Sequence, residues 1–220
     1  MILEGAYSYV MKKRMFDIAF AISGLVVMGL PMTVLYALNK FKLDGESPFF
    51  TITRLGKDGK PFEMYKFRSM KTLYNNEGKI LPETERVTSF GQFMRKRGLD
   101  ELPQLFNILK GDMSVVGPRP WTARPTRKRN VLKDYTILNV RPGLTGVCAV
   151  EKIMRGYELS GLEREKLESE YARQPESLSR DFALIVKTMP VLWSGNSPQK
   201  YEQEARDRGD IEEMRPDQRL

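Results

Sequence analysis

Histidine is absent from the 220 residues, and cysteine occurs once, at position 148. The first absence removes imidazole as general acid, base or nucleophile, and with it zinc sites built on histidine. The second rules out an internal disulfide and fits a reducing compartment, so Cys148 reads as a small packed residue. Acid–base and nucleophilic work is left to carboxylates, Lys, Tyr, Ser or the single thiol. A divalent metal would be a hard ion such as magnesium, held by oxygen. Acidic residues are in deficit, 28 against 36 basic ones, for a net charge of +8 and a pI near 9.5. An anionic partner follows, and nucleic acid, an anionic membrane surface or a phosphorylated substrate would each serve. There is no internal repeat, and an apolar fraction of 41% is enough for one core. A chain of this length makes one domain, or one domain with an appendage.

Charge is also missing locally. From Ile18 to Leu38 no residue is charged, and such a run is about as long as a bilayer crossing requires. It is too long for the core of a cleaved signal peptide, and no small-residue cleavage site follows it. Pro31 lies within the run, where it removes a backbone hydrogen bond and kinks a helix. Cations flank both ends, Lys12, Lys13 and Arg14 before and Lys40 and Lys42 after, whereas a spanning helix usually carries its excess on one side. Two dispositions stay open on the residues alone: a kinked transmembrane helix, or a hairpin that dips into one leaflet and returns.

The segment from Pro48 to Met70 reads as a β-hairpin. Phe50, Ile52 and Arg54 alternate with Thr51 and Thr53, "GKDGK" makes the turn, and the second arm ends in "YKFRSM". Lys66 and Arg68 then share one face of that arm. Thr88 or Ser89 can cap a short helix carrying Phe90, Phe93 and Met94, which stops at Gly98. Leu102, Leu105, Phe106 and Leu109 define a central helix closed by Gly111. Further on, Leu162 to Ala172 reads as a charged helix. Leu178 to Trp193 reads as an amphipathic one, with Phe182, Ile185, Val186 and Met189 on one stripe. The chain beyond Ser194 is polar and aperiodic, which suits a flexible tail.

The stretch "RKRGLDELPQLFNILKGDMSVVGPRP" carries the chemistry-bearing pattern. Asp100 can cap the central helix, with Glu101 in its first turn and Pro103 tolerated that early. Two adjacent carboxylates behind Arg95, Lys96 and Arg97 also suit a phosphate and metal site, in which one carboxylate attacks phosphorus while the other holds a cation. The two roles are compatible. Arg119 stands between Pro118 and Pro120, and Arg141 precedes Pro142 and Gly143, so stiff backbone aims each guanidinium. Planar bidentate recognition of phosphate is what arginine does best.

With these residues in view, the chain from about Met11 to Trp193 resembles the monotopic phosphoglycosyl transferases, also called bacterial sugar transferases. The resemblance rests on "KKRMFDIAFA", "YKFRSM", the long central stretch and "RPGLTG", in that order. It implies transfer of a phosphosugar from a UDP-sugar to a membrane polyprenol phosphate, with release of UMP, at the start of surface glycan assembly. It implies that Asp100 is the nucleophile of a covalent phosphosugar intermediate, and that Glu101, with Asp100 beside it, binds Mg2+. Lys66, Arg68, Arg95, Arg119 and Arg141 are the expected phosphate contacts. The resemblance also implies a re-entrant membrane helix broken at Pro31, with both ends cytoplasmic, at the bacterial inner membrane.

The expected fold is therefore mainly α with a small β-hairpin (α+β). Residues 1–43 form the N-terminal segment and membrane helix, 44–195 a cytoplasmic catalytic domain with interfacial amphipathic helices, and 196–220 the tail. Lacking a multi-span N-terminal part, the chain resembles a minimal catalytic unit. Anionic lipids are expected partners, nucleic acid is not, and a homodimer is left open. Where many relatives read Trp-Ala-Gln-Val after "RPGLTG", this chain reads "VCAV", which leaves the donor sugar open; Glu168, Tyr171 and Asp181 receive no role. The alternatives are a non-catalytic, membrane-anchored basic protein that binds anionic lipid or nucleic acid, and a structural membrane protein in which the dyad is only a cap.

Overall fold

The uncharged run and its flanks wind into one helix, α1, from Ile2 to Lys42. The computed structural model describes residues 2–122, 134–155, 159–174 and 177–194. The basic segment after Ala123 and the polar tail thus lie outside the described residues. The expected break at Pro31 is not found, because helical structure continues through that residue. A proline costs the helix one amide and crowds the carbonyl four residues back, here that of Val27. The turns on either side keep their own bonds, and the Thr33 hydroxyl donates to the Gly29 carbonyl at 2.9 Å.

One face of α1 packs on the rest of the protein over most of its length. Asp17, Ala21, Met32, Leu35 and Asn39 are buried and recur at helical spacing. Ile22, Val26, Val27, Leu30, Val34 and Leu38 are exposed. Among the described residues this is the helix long and apolar enough to cross a membrane by length and composition.

Two strands follow as an antiparallel hairpin, β1 (Phe49–Leu55) and β2 (Pro61–Phe67), registered Phe49 opposite Phe67 and Leu55 opposite Pro61. Two short helices come next, α2 (Glu83–Arg86) and α3 (Ser89–Lys96). The Thr88 hydroxyl caps α3 by accepting from the Gly91 amide at 2.9 Å. After a single 3-10 turn over Leu99–Glu101, α4 runs Gln104–Lys110 and closes on Gly111.

The C-terminal half lays down β3 (Ser114–Val116), β4 (Trp121–Thr122) and β5 (Gly143–Thr145). β4 joins the free edge of β1, and β5 pairs parallel with β3. That parallel pair requires glycine at its crossing. A Cβ on Gly143 would stand 2.1 Å from the Gly117 amide nitrogen. Three helices complete the described residues: α5 (Val147–Arg155), α6 (Gly161–Arg173) and α7 (Leu178–Ser194). The expected mainly helical α+β architecture is therefore present.

The core runs between α1 and the domain. Ala21 packs with Met64, Leu105, Ile108, Met113, Val115, Val116 and Tyr171. Farther along the helix, Met32 and Leu35 pack with Phe67 and Met94. Polar pins reinforce this seam. Arg14 donates to the carbonyls of Ile108 and Leu109 at 2.6 and 2.8 Å, two of the C-terminal carbonyls of α4 that seek such a partner. Asp17 accepts from the Ser114 hydroxyl and the Val115 amide, both at 2.9 Å. Asn39 donates to the Arg68 carbonyl at 2.7 Å. Asp181, on α7, accepts from Tyr9, Lys13 and Tyr171. The α7 stripe divides: Ile185 packs on the core with Leu184, whereas Phe182, Val186 and Met189 face outward.

Candidate active site

Gly98, in the left-handed conformation at φ 65°, starts the 3-10 turn that carries Asp100 and Glu101. This corrects the expected local geometry. Asp100 lies inside the turn, not at the helix cap, and the residue before α4 is Pro103, which makes no side-chain cap. Gly98 winds the chain one turn early, so the Asp100 side chain points inward and is only 8% exposed. Burying a carboxylate without using it as a cap is costly, and the simple capping role for Asp100 falls away.

Glu101 opens onto a cavity of about 270 Å³. Five cations line it: Arg54 from β1, Lys66 from β2, Arg119 from the proline-bounded loop, Lys152 from α5 and Arg164 from α6. Glu101 is the one carboxylate among the lining residues. Gly117, Gly143, Leu144, Thr145 and Gly146 form the backbone side, and Cys148 and Ala149 present small side chains from α5. Lys66 donates to Glu101 Oε1 at 2.5 Å.

The dyad is electrostatically split. Burial acts most strongly on Asp100 and raises its pKa above the ordinary aspartate value. Lys66 opposes that, the neighbouring Glu101 charge adds to it, and Arg95 opposes it. Burial is also the largest single influence on Glu101, yet Lys66, Arg119 and Lys152 together outweigh it and hold the carboxyl below the ordinary glutamate value. Two carboxylates with divergent environments are suited to different tasks.

Of the residues expected from sequence, Lys66, Glu101 and Arg119 meet at the cavity. Asp100 lies directly behind, within reach of the Lys66 charge. Arg95 also acts on Asp100 and donates to the Ser69 hydroxyl at 2.7 Å. The structure does not bring Arg68 or Arg141 to this cavity. Arg68 pairs with Glu46 at 2.7 Å and donates to the Ser47 carbonyl. Arg141 donates to the Gly111 carbonyl at 2.8 Å and lines a smaller recess against α1. The stiff loops do aim their arginines, but the parallel β3–β5 pair sends the two in different directions.

Sequence reading missed Arg54, Lys152 and Arg164. Each sits among other charges on an otherwise unremarkable strand or helix, and only the tertiary fold gathers them. It also gave no role to Glu168, which is fully buried. Glu168 accepts from the Arg119 amide at 3.1 Å and from Trp121 Nε1 at 3.0 Å. A carboxylate among "LESEYA", at a position where the helix turns inward, was the available signal. Cys148 is buried as expected and borders the cavity; burial and the nearby Glu168 charge push its thiol pKa up, which makes it a poor nucleophile.

Among the described residues no three carboxylate or thiol side chains gather as a metal site of their own. The dyad supplies one carboxylate at the cationic cavity, Glu101, and a second, Asp100, directly behind it. That donor set suits a hard cation which completes its shell with a ligand's phosphate oxygens and water.

Comparison with known proteins supplies the family. Residues 8–195 match the family model described as bacterial sugar transferase. A putative undecaprenyl-phosphate N-acetylgalactosaminyl 1-phosphate transferase of Bacillus subtilis is 46% identical over 60% of this chain and 75% of its own. A UDP-glucose:undecaprenyl-phosphate glucose-1-phosphate transferase of Caulobacter vibrioides is 35% identical over 83% of this chain and 70% of its own. The galactosyl transferase CpsE of Streptococcus agalactiae is 34% identical over 86% of this chain but only 44% of its own length.

Proposed function

The chain belongs to the bacterial sugar transferase family, and from that membership we propose that it moves a sugar-1-phosphate from a UDP-sugar to a membrane polyprenol phosphate, initiating surface glycan assembly. The observation that carries the reading is the cationic cavity bordered by Glu101, with Asp100 directly behind it in a divergent environment. A diphosphate brings negative charge to a wall holding Lys66, Arg119 and Lys152, where bidentate and point-charge contacts are both on offer.

In the proposed reaction an Asp100 Oδ attacks the sugar-bearing phosphorus of the donor. The bond from that phosphorus to the bridging oxygen breaks, and UMP leaves with the oxygen. Asp100 then carries the phosphosugar as an acyl phosphate. A phosphate oxygen of the polyprenol phosphate attacks the same phosphorus, the acyl–phosphate bond breaks, and Asp100 returns as a carboxylate. Lys66 and Arg95 favour its ionised form against the burial that opposes it. Mg2+ would be held by Glu101, with Asp100 beside it and the donor's phosphate oxygens, and would neutralise developing charge.

Membrane disposition belongs to the same proposal. The contacts of α1 with the domain run from Tyr9 to Asn39, about 45 Å of helix at 1.5 Å per residue. A helix crossing the bilayer squarely would draw the charged surface of the domain into hydrocarbon. Both ends of α1 are therefore assigned to the side of the catalytic domain, the cytoplasmic face of the bacterial inner membrane. The outward residues Val26, Val27, Leu30 and Val34 lie in one leaflet, and Phe182, Val186 and Met189 of α7 supply an interfacial contact.

The test is a single-turnover mix of purified chain, Mg2+ and a panel of UDP-sugars without lipid acceptor. Intact mass and UMP are read together. A mass gain of one phosphosugar, stoichiometric UMP and peptide mapping to Asp100 are expected, with both signals lost in Asp100→Asn. An adduct on Glu101 would reverse the dyad's roles. No adduct and no UMP, with or without polyprenol phosphate, would overturn the reading.

A further inference from the structure

We propose that Glu168 is a positioning residue of the donor site: it clamps the loop that aims Arg119 and acts on the diphosphate only through that guanidinium. The inference rests on the donor-binding reading of the cavity. Between residues 118 and 120 the two prolines have no N–H, so the Arg119 amide is the one backbone donor. It is spent on Glu168 Oε1, at 3.1 Å. The other carboxylate oxygen takes the Trp121 indole N–H at 3.0 Å. One carboxylate thus grips the chain on both sides of Pro120.

The opposite end of the loop is fixed independently. The Gly117 amide donates to Thr145, at 3.0 Å, and the Gly143 amide donates to Pro118, at 2.8 Å. With both ends held, the guanidinium of Arg119 reaches the cavity from a backbone that has nowhere else to go. Packing of α6 alone does not call for a fully buried carboxylate, since an apolar residue of similar volume at such a site is often neutral or stabilising. Its two acceptor oxygens match the two donors on either side of Pro120, the Arg119 amide and the Trp121 indole, and the Arg164 charge favours its ionised form.

The experiment measures UDP affinity calorimetrically in the full chain with Mg2+, for wild type, Glu168→Gln, Arg119→Ala and the double variant. Donor KM and kcat are measured alongside. Glu168→Gln keeps the volume but puts an NH2 against one of the two donors. It should weaken UDP binding and raise donor KM about tenfold, with kcat within about threefold, as expected for a lost ground-state contact. The double variant should be no weaker than Arg119→Ala alone, within about twofold, because the effect passes through one side chain. Multiplied losses in the double variant, or unchanged binding in Glu168→Gln, would overturn the inference. Should the glutamine variant fail to fold, Trp121→Phe removes one arm of the clamp. A weaker effect in the same direction, absent in the Arg119→Ala background, is expected, and no effect in the wild-type background would overturn it. If UDP binding depends on Glu168 while no phosphosugar is transferred, the positioning role stands and the transferase reading falls. If wild type binds no UDP, both fall.

Discussion

Asp100 is held where its own charge is unwelcome. Burial raises its pKa, so its native value lies above its unfolded one, and the native state loses stability relative to the unfolded state as pH rises through that native value. At neutral pH the ionised side chain is therefore a burden, and Asp100→Asn should raise Tm in thermal unfolding while lowering turnover by about three orders of magnitude or more. Retained turnover in that variant would remove Asp100 from the chemistry. At this scale the sequence was a partial guide. The adjacency of Asp100 and Glu101, and the proline bracket around Arg119, were readable because local backbone chemistry sets them. The capping expectation failed because it turned on the conformation of one residue, Gly98. Arg141 went elsewhere because strand pairing, not the stiffness of its loop, decides its direction.

The elements most legible in sequence are those closed by local signals: the β1–β2 hairpin across "GKDGK", α3 with its Thr88 cap, and α4 with its terminal Gly111. The parallel β3–β5 pair and the joining of β4 to β1 link distant segments, and no periodicity announces them. The crossing between hairpin and α3 hangs on Glu46, which accepts from the Thr72 amide and hydroxyl at 2.6 and 2.8 Å and from Arg68 at 2.7 Å. Burial is the largest influence on it and opposes ionisation, but Thr72, Arg68 and Lys71 together hold its pKa below the ordinary 4.5. Its stabilisation is thus present above that value and lost as pH falls through the lower native one. Glu46→Gln should cost about 1 kcal/mol in denaturant unfolding at neutral pH, and the gap from wild type should close under acid. A gap that persists with Glu46 protonated would mean that its charge is irrelevant.

At the scale of the whole molecule the question is which way α1 lies. Replacing Lys12 and Lys40 by cysteine, one at a time, brackets the apolar run with thiols, and the native Cys148 is buried and gives little background. In sealed inverted vesicles, where the cytoplasmic face is outward, both should react with an impermeant maleimide. Protection of one and reaction of the other would show a crossing helix and overturn the one-leaflet assignment. Composition and run length foretold an apolar helix. They could not foretell that it shares a core with the domain, because within the uncharged run its inward stripe, Ala21, Met32 and Leu35, is itself apolar and gives no contrast with the outward one.

That shared core sets an order of events during synthesis. The helix leaves the ribosome ahead of the domain it packs on, already carrying Asp17 and Asn39 on the face to be buried. Asn39 soon meets its acceptor at Arg68, 29 residues later. Asp17 waits for Ser114, 97 residues later, or about 5–20 s at usual translation rates. Throughout that interval a carboxylate sits beside nascent apolar helix with its final partners unmade. The newborn helix is accordingly more polar than the finished one, and it stays so until the second half of the chain arrives.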